Sequence, residues 1–165
     1  KTQVEIMAEV TKRGGGRRRG RDMVYPVFGV LLNAYVVGEA MKAVGKCRHQ
    51  FSIRAPSIEP NEDMTEEEKQ KWYRTYRAQV NCIEWFALTS PVFIGGALVG
   101  KKAFGQYGKY VPRFLGVCSI LNAYYRYQYL KAYQEEADKR GPYFMRTVQV
   151  LQPAILVAFS ACLYL

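Results

Sequence analysis

Arg77, Asn81 and Glu84, in the run YRAQVNCIEW (76–85), stand at i, i+4 and i+7. At about 3.6 residues per turn, a helix through this run puts all three on one face. A second set follows downstream, where Tyr125, Tyr129 and Tyr133 recur every fourth residue and Arg140 lies seven positions beyond Tyr133. Two guanidinium groups, a carboxylate, amides and phenols are the assortment that recognises a zwitterionic, peptide-like ligand, because each charged end of such a ligand finds a complementary donor or acceptor. The residues alone leave two readings open. Glu84 could pair with Arg77 or Arg126 while the tyrosines form an interfacial aromatic belt, or the two stripes could converge on a bound molecule.

These stripes need elements to carry them. The chain has 165 residues, enough for one domain, and is 49% hydrophobic with 14% aromatic residues, which excludes a disordered chain. Its mean hydropathy of -0.20 resembles that of a soluble protein. That average conceals segregation: the apolar residues gather in four blocks, MVYPVFGVLLNAYVVGEAM, CIEWFALTSPVFIGGALVG, FLGVCSILNAYYRYQYLKAY and TVQVLQPAILVAFSACLYL. Each approaches the ~20 residues that cross a bilayer, so the expected fold is an all-α, integral membrane four-helix bundle with spans at about 23–45, 65–100, 112–138 and 145–165. The third block is unusually polar and rich in tyrosine. The first is too long for a secretory signal and lacks a small-residue cleavage pattern, and reads as a retained anchor.

Between the blocks lie the polar connections. A loop covers 47–71, with Pro56 and Pro60, and the second helix is expected to start within it near Thr65. There Thr65 as N-cap and Glu68 three residues on form a capping-box pattern, with acidic residues at the positive end of the helix. Residues 101–112 make a short loop, and Pro142 marks the turn between the third and fourth spans. Residues 1–22 form a separate tail whose stretch KRGGGRRRGR (12–21) is basic and glycine-rich; it suits a solvated positive flank, anionic headgroups or an acidic partner. Nothing else in the chain resembles a nucleic-acid module, and a nucleic-acid partner is not expected. Cys47, Cys82, Cys118 and Cys162 have no paired spacing and read as small core residues, while His49 is the only histidine, which argues against zinc and against a Ser-His-Asp triad.

YRAQVNCIEW, followed by YRYQYLKAY (125–133) and KRGPYF (139–144), with LLNAY (31–35) upstream, resembles the family of membrane-associated proteins in eicosanoid and glutathione metabolism, the MAPEG family, in its glutathione-conjugating members. The likeness runs over about residues 28–165. It implies four-helix protomers in a homotrimer, with glutathione as co-substrate, no metal, and a location in the endoplasmic reticulum, nuclear envelope or mitochondrial membrane. By the resemblance, Arg77, Asn81 and Glu84 hold the peptide ends of glutathione with Gln79 beside them. Tyr129 and Tyr133 line the site, and Arg140 faces the thiol as the catalytic residue. The implied activity is a membrane-bound glutathione transferase or peroxidase acting on lipophilic electrophiles reached from the membrane lipid.

Two departures qualify that activity. Trp85 stands where catalytic relatives carry tyrosine, leaving an indole N–H to replace a hydroxyl contact. Where relatives carry an arginine pair near the end of the first helix, this chain has Val44 and Gly45, flanked by Lys42 and Lys46. The other reading from the sequence is therefore a non-catalytic scaffold or accessory subunit of a heteromeric membrane complex, docking through the basic tail and the longer loop.

Overall fold

The computed structural model describes residues 22–164, and among them four long helices form an up-and-down bundle without strands. They are α1 (Val24–Gln50), α2 (Glu66–Ala103), α3 (Val111–Glu135) and α4 (Gly141–Leu163), with short 3-10 turns at Gly105–Tyr107 and Ala137–Arg140. The basic tail of residues 1–21 lies outside the described residues. Helices α1, α2 and the segment Asp138–Leu163 are long and apolar enough to cross a membrane. Large apolar side chains such as Phe28, Leu31, Leu88, Leu98, Leu156 and Phe159 face outward along them. An apolar surface of this extent needs lipid or another subunit to cover it.

Helix α3 does not meet the same length-and-hydropathy standard, although a span of that kind is expected at 112–138. Its position explains the polarity. α3 packs against each of the other three helices and buries Ser119, Asn122 and Arg126 together with Leu115, Tyr129 and Leu130, so its polar groups meet protein instead of hydrocarbon.

The first helix outruns its expected end near residue 45 and continues to Gln50, which shortens the connecting loop to 51–65. Cys47 and Phe51 pack with Met64 and Trp72, and the Arg48 guanidinium lies 5.2 Å from the Trp72 ring centroid, so the last turns of α1 are held against the start of α2. The loop is tied down in turn by hydrogen bonds from Trp72 Nε1 to the Ile58 carbonyl (2.7 Å) and from Asn61 Nδ2 to the Phe51 carbonyl (2.8 Å). The capping box at Thr65 and Glu68 is present, with both reciprocal hydrogen bonds made. Cys47, Cys82 and Cys118 are buried as expected of core residues, but Cys162 is exposed on the outer face of α4.

At the opposite end of the bundle, Asp22 reaches Lys101 at 3.2 Å and Arg113 at 3.3 Å, joining the start of α1 to the end of α2 and the start of α3. Burial works against the Asp22 charge, yet these two cations hold its carboxyl below the usual aspartate range.

Helices α1 and α3 cross closely because glycine stands at the contact on each. A Cβ at Gly29 would lie 2.5 Å from Ser119 Cβ, and one at Gly116 would lie 2.8 Å from the Tyr25 carbonyl carbon and 2.9 Å from Pro26 N. The obstruction at Gly116 is backbone, which cannot rotate away. Gly116→Ala is expected to destabilise the protein by roughly 1–2 kcal/mol through forced separation of the helices, read as a lower melting temperature in detergent.

Candidate functional site

A cleft of about 570 Å3 opens between α2, α3 and the start of α4, at the end of the bundle that carries the 51–65 loop. Its wall on α2 is Tyr76, Arg77, Val80 and Asn81; Tyr129 and Tyr133 come from α3, and Arg140, Gly141 and Phe144 from the corner leading into α4. Five of the residues singled out in the sequence, Arg77, Asn81, Tyr129, Tyr133 and Arg140, therefore meet around one space. The volume falls in the range of small-molecule sites.

Tyr129 and Tyr133 are each 4% exposed, with ring centroids 5.7 Å apart, and form the rigid back of the cleft. Spacing of four on α3 is what stacks them, since residues i and i+4 lie one turn apart on the same face. The Arg140 guanidinium lies 4.3 Å from the Tyr133 ring centroid. This arginine ends the 3-10 turn and is the residue before α4, so the corner between α3 and α4 fixes its position. Phe144, one turn into α4, touches both Trp85 (6.0 Å between centroids) and Tyr129 (6.4 Å) and closes the floor. Among the described residues the lining contains two arginines and no carboxylate, so it presents an electropositive surface with phenol and amide groups able to accept and donate.

Four candidates from the sequence lie elsewhere. Glu84 shares an azimuth with Arg77 and Asn81 but sits deeper along α2, beyond the cleft, and is exposed at the bundle surface. No salt bridge joins it to Arg77 or Arg126 among the described residues. Gln79 is half-buried on the opposite side of α2, as two residues of helix rotation require, and does not line the cleft. Tyr125 lies one turn before Tyr129 and packs with Tyr124 and the Arg146 guanidinium instead. Trp85 turns inward to α3, where its Nε1–H donates to Asn122 Oδ1 at 3.0 Å. The indole N–H expected to stand in for a hydroxyl at the site is thus already committed within the bundle.

On α1, Val44 is buried, Gly45 is exposed, and Lys42 makes an exposed ion pair with Glu39 at 2.7 Å. Lys42 and Lys46 line a different groove, so no α1 cation reaches the cleft within the protomer.

Residues that sequence reasoning did not assign to the site support it from behind. Arg126 is 3% exposed, donates from Nη2 to the Asn81 carbonyl at 2.8 Å, and lies between the rings of Trp85 (4.9 Å) and Tyr129 (4.5 Å). Asn122 receives the Trp85 N–H and donates to Asn33 Oδ1 at 2.6 Å; Asn33 donates onward to the carbonyls of Ser119 (3.0 Å) and Gly29 (2.8 Å). Three helices are thereby joined through buried polar groups. An arginine three residues before Tyr129 in the most polar apolar block was the available signal for the first, but nothing in the spacing pairs Asn33 with Asn122.

The fold and this cleft define a class: a helical membrane protein with a cationic, phenol-walled recess between its second, third and fourth helices. No protein-family model matches the chain. It is 30% identical over 118 residues to microsomal glutathione S-transferase 2 of Bos taurus, an alignment covering 72% of this chain and 67% of that protein. The chain belongs to the MAPEG family of integral membrane proteins.

Proposed function

We propose that the cleft binds glutathione and activates its thiol for attack on a lipophilic electrophile, making the protein a membrane-bound glutathione transferase or peroxidase. The observation that carries this reading is the placement of Arg140 on Tyr133, across one recess from Arg77 and Asn81. The similarity to a microsomal glutathione S-transferase supports the choice of ligand. Arg77 holds a ligand carboxylate, the Asn81 amide serves the peptide, and Arg140 faces the sulfur. A thiol with a pKa of about 8.5 is only a few per cent ionised at pH 7, and a fixed guanidinium raises that fraction without giving up its own proton. The thiolate then forms a bond to the electrophilic carbon, and the leaving group departs with the electron pair of the bond that breaks.

Glu84 and Gln79 fit this reading through assembly. A carboxylate exposed on a membrane helix is costly unless it finds a partner, and a second copy of the chain packed against α2 supplies one. A homotrimer with ligand held between protomers is the proposed assembly, in the endoplasmic reticulum, nuclear envelope or mitochondrial membrane, with a role in lipid metabolism.

Adding glutathione to the purified protein is expected to produce the ultraviolet absorption of the thiolate together with turnover of a simple aryl halide electrophile. Absence of both in the intact assembly would transfer the chain to the scaffold reading. Arg77→Ala is expected to raise the KM for glutathione about tenfold, the loss of one charge-assisted hydrogen bond, while kcat stays within about twofold.

A further inference from the structure

Arg126 is a cation that no carboxylate balances among the described residues. It is 3% exposed, and no ion pair reaches it among the described residues. Its Nε has no hydrogen-bond partner; Nη2 donates to the Asn81 carbonyl, and the neutral Cys82 thiol is its other polar neighbour on α2. Cys82, Trp85, Asn33 and apolar side chains line the small space around it, again without an acid among the described residues. A buried charge left in this state is costly, and structures keep one when it serves a site.

The two groups it touches toward the cleft are both lining residues: the backbone of Asn81 and the ring of Tyr129. Tyr129 packs against Tyr133 with the rings tilted, and the Arg140 guanidinium lies by the Tyr133 ring as Arg126 lies by Tyr129, so each phenol of the pair has a guanidinium beside it. With Arg77, three positive charges surround a recess whose wall holds no negative one among the described residues.

We infer that Arg126 is a positioning residue whose unbalanced charge is offset by the anion in the cleft: it fixes Asn81 and Tyr129 and biases the recess toward an anionic ligand without touching it. This rests on the glutathione reading for the identity of that ligand. Glutathione suits the arrangement because its net charge is negative and becomes more so when the thiol ionises. The sign of its effects separates Arg126 from an ordinary structural residue. Removing an unpaired buried cation relieves the empty protein, whereas removing it from the liganded protein loses attraction.

The test compares Arg126→Met, which keeps length and apolar bulk, with Arg126→Lys, which keeps the charge. Arg126→Met is expected to melt at the same or a higher temperature than wild type without ligand, to bind glutathione about tenfold more weakly, and to show a reduced thiolate band. Arg126→Lys is expected to recover most of the affinity. A loss of ligand-free stability in Arg126→Met overturns the proposal by making the residue structural. Unchanged affinity, or a lysine variant that binds no better than the methionine variant, overturns it by removing the role of charge. Wild-type protein that binds no glutathione fails the underlying reading and this inference with it, whereas variant failures against a binding wild type fail the inference alone.

Discussion

Arg140→Ala is expected to lower turnover of an aryl halide by roughly 25-fold at pH 7 and by progressively less as the pH rises past the ordinary thiol pKa of about 8.5. The size follows from ionisation. If the guanidinium lowers the thiol pKa by about two units, equivalent to roughly 2.7 kcal/mol, the bound thiol is about three-quarters ionised at pH 7 and only about 3% ionised without it. The direction of the pH dependence follows from the same equilibrium, since at high pH the solvent removes the proton and the arginine has less left to contribute. A pH–rate profile of the variant alongside wild type reads this directly. A deficit that stays constant to high pH would assign Arg140 to binding or orientation rather than to thiol ionisation. Arg140→Lys is expected to fall between the two, because an ammonium supplies charge but not the flat fork that rests on the Tyr133 ring.

Helical periodicity was enough to bring the cleft together but not to bound it. Four apolar blocks of spanning length foretold four helices, and the Thr65–Glu68 pattern foretold the start of α2, because both signals are local. The i, i+4 spacing of Tyr129 and Tyr133 likewise dictated their contact. What a helical wheel specifies is azimuth. It does not specify depth along the bundle, and this is why Glu84 shares a face with Arg77 yet lies beyond the recess that Phe144 closes. Nor does it specify which neighbour a side chain meets: Trp85 was legible as a group beside the site, but its commitment to Asn122 depends on how α3 is placed against α2.

The same limitation explains the third helix. Read alone, its arginine, asparagine and tyrosines weaken the case for a membrane span. Enclosed by three other helices they become the means by which the bundle holds its site, with Asn122 facing α1 and α2, Arg126 behind the wall, and Tyr129 and Tyr133 forming it. Polarity at these positions and apolarity on the outer faces are two consequences of one arrangement, since a helix inside a membrane protein answers to its protein neighbours and one at the rim answers to lipid.

Asn122→Leu puts that arrangement to its most severe test, with an expected loss of about 2–3 kcal/mol in resistance to unfolding in detergent. Asn122 is fully buried and makes two interhelical hydrogen bonds, accepting from Trp85 Nε1 and donating to Asn33 Oδ1. Leucine keeps the branching of asparagine, although it is bulkier, but answers neither group, leaving an indole N–H and an amide oxygen unpartnered inside the bundle; the Asn33 amide nitrogen keeps its acceptors on Ser119 and Gly29, which limits the unpaired groups to two. The effect should also reach the cleft, because Trp85 packs against Phe144 and Arg126, which close and support its inner wall. Glutathione affinity is therefore expected to weaken along with stability, whereas Asn122→Asp at a pH where the acid is protonated retains the acceptor and should recover the Trp85 contact. An Asn122→Leu protein as resistant to unfolding as wild type would mean that helix packing alone, starting with the close approach at Gly29 and Gly116, sets the geometry of the site.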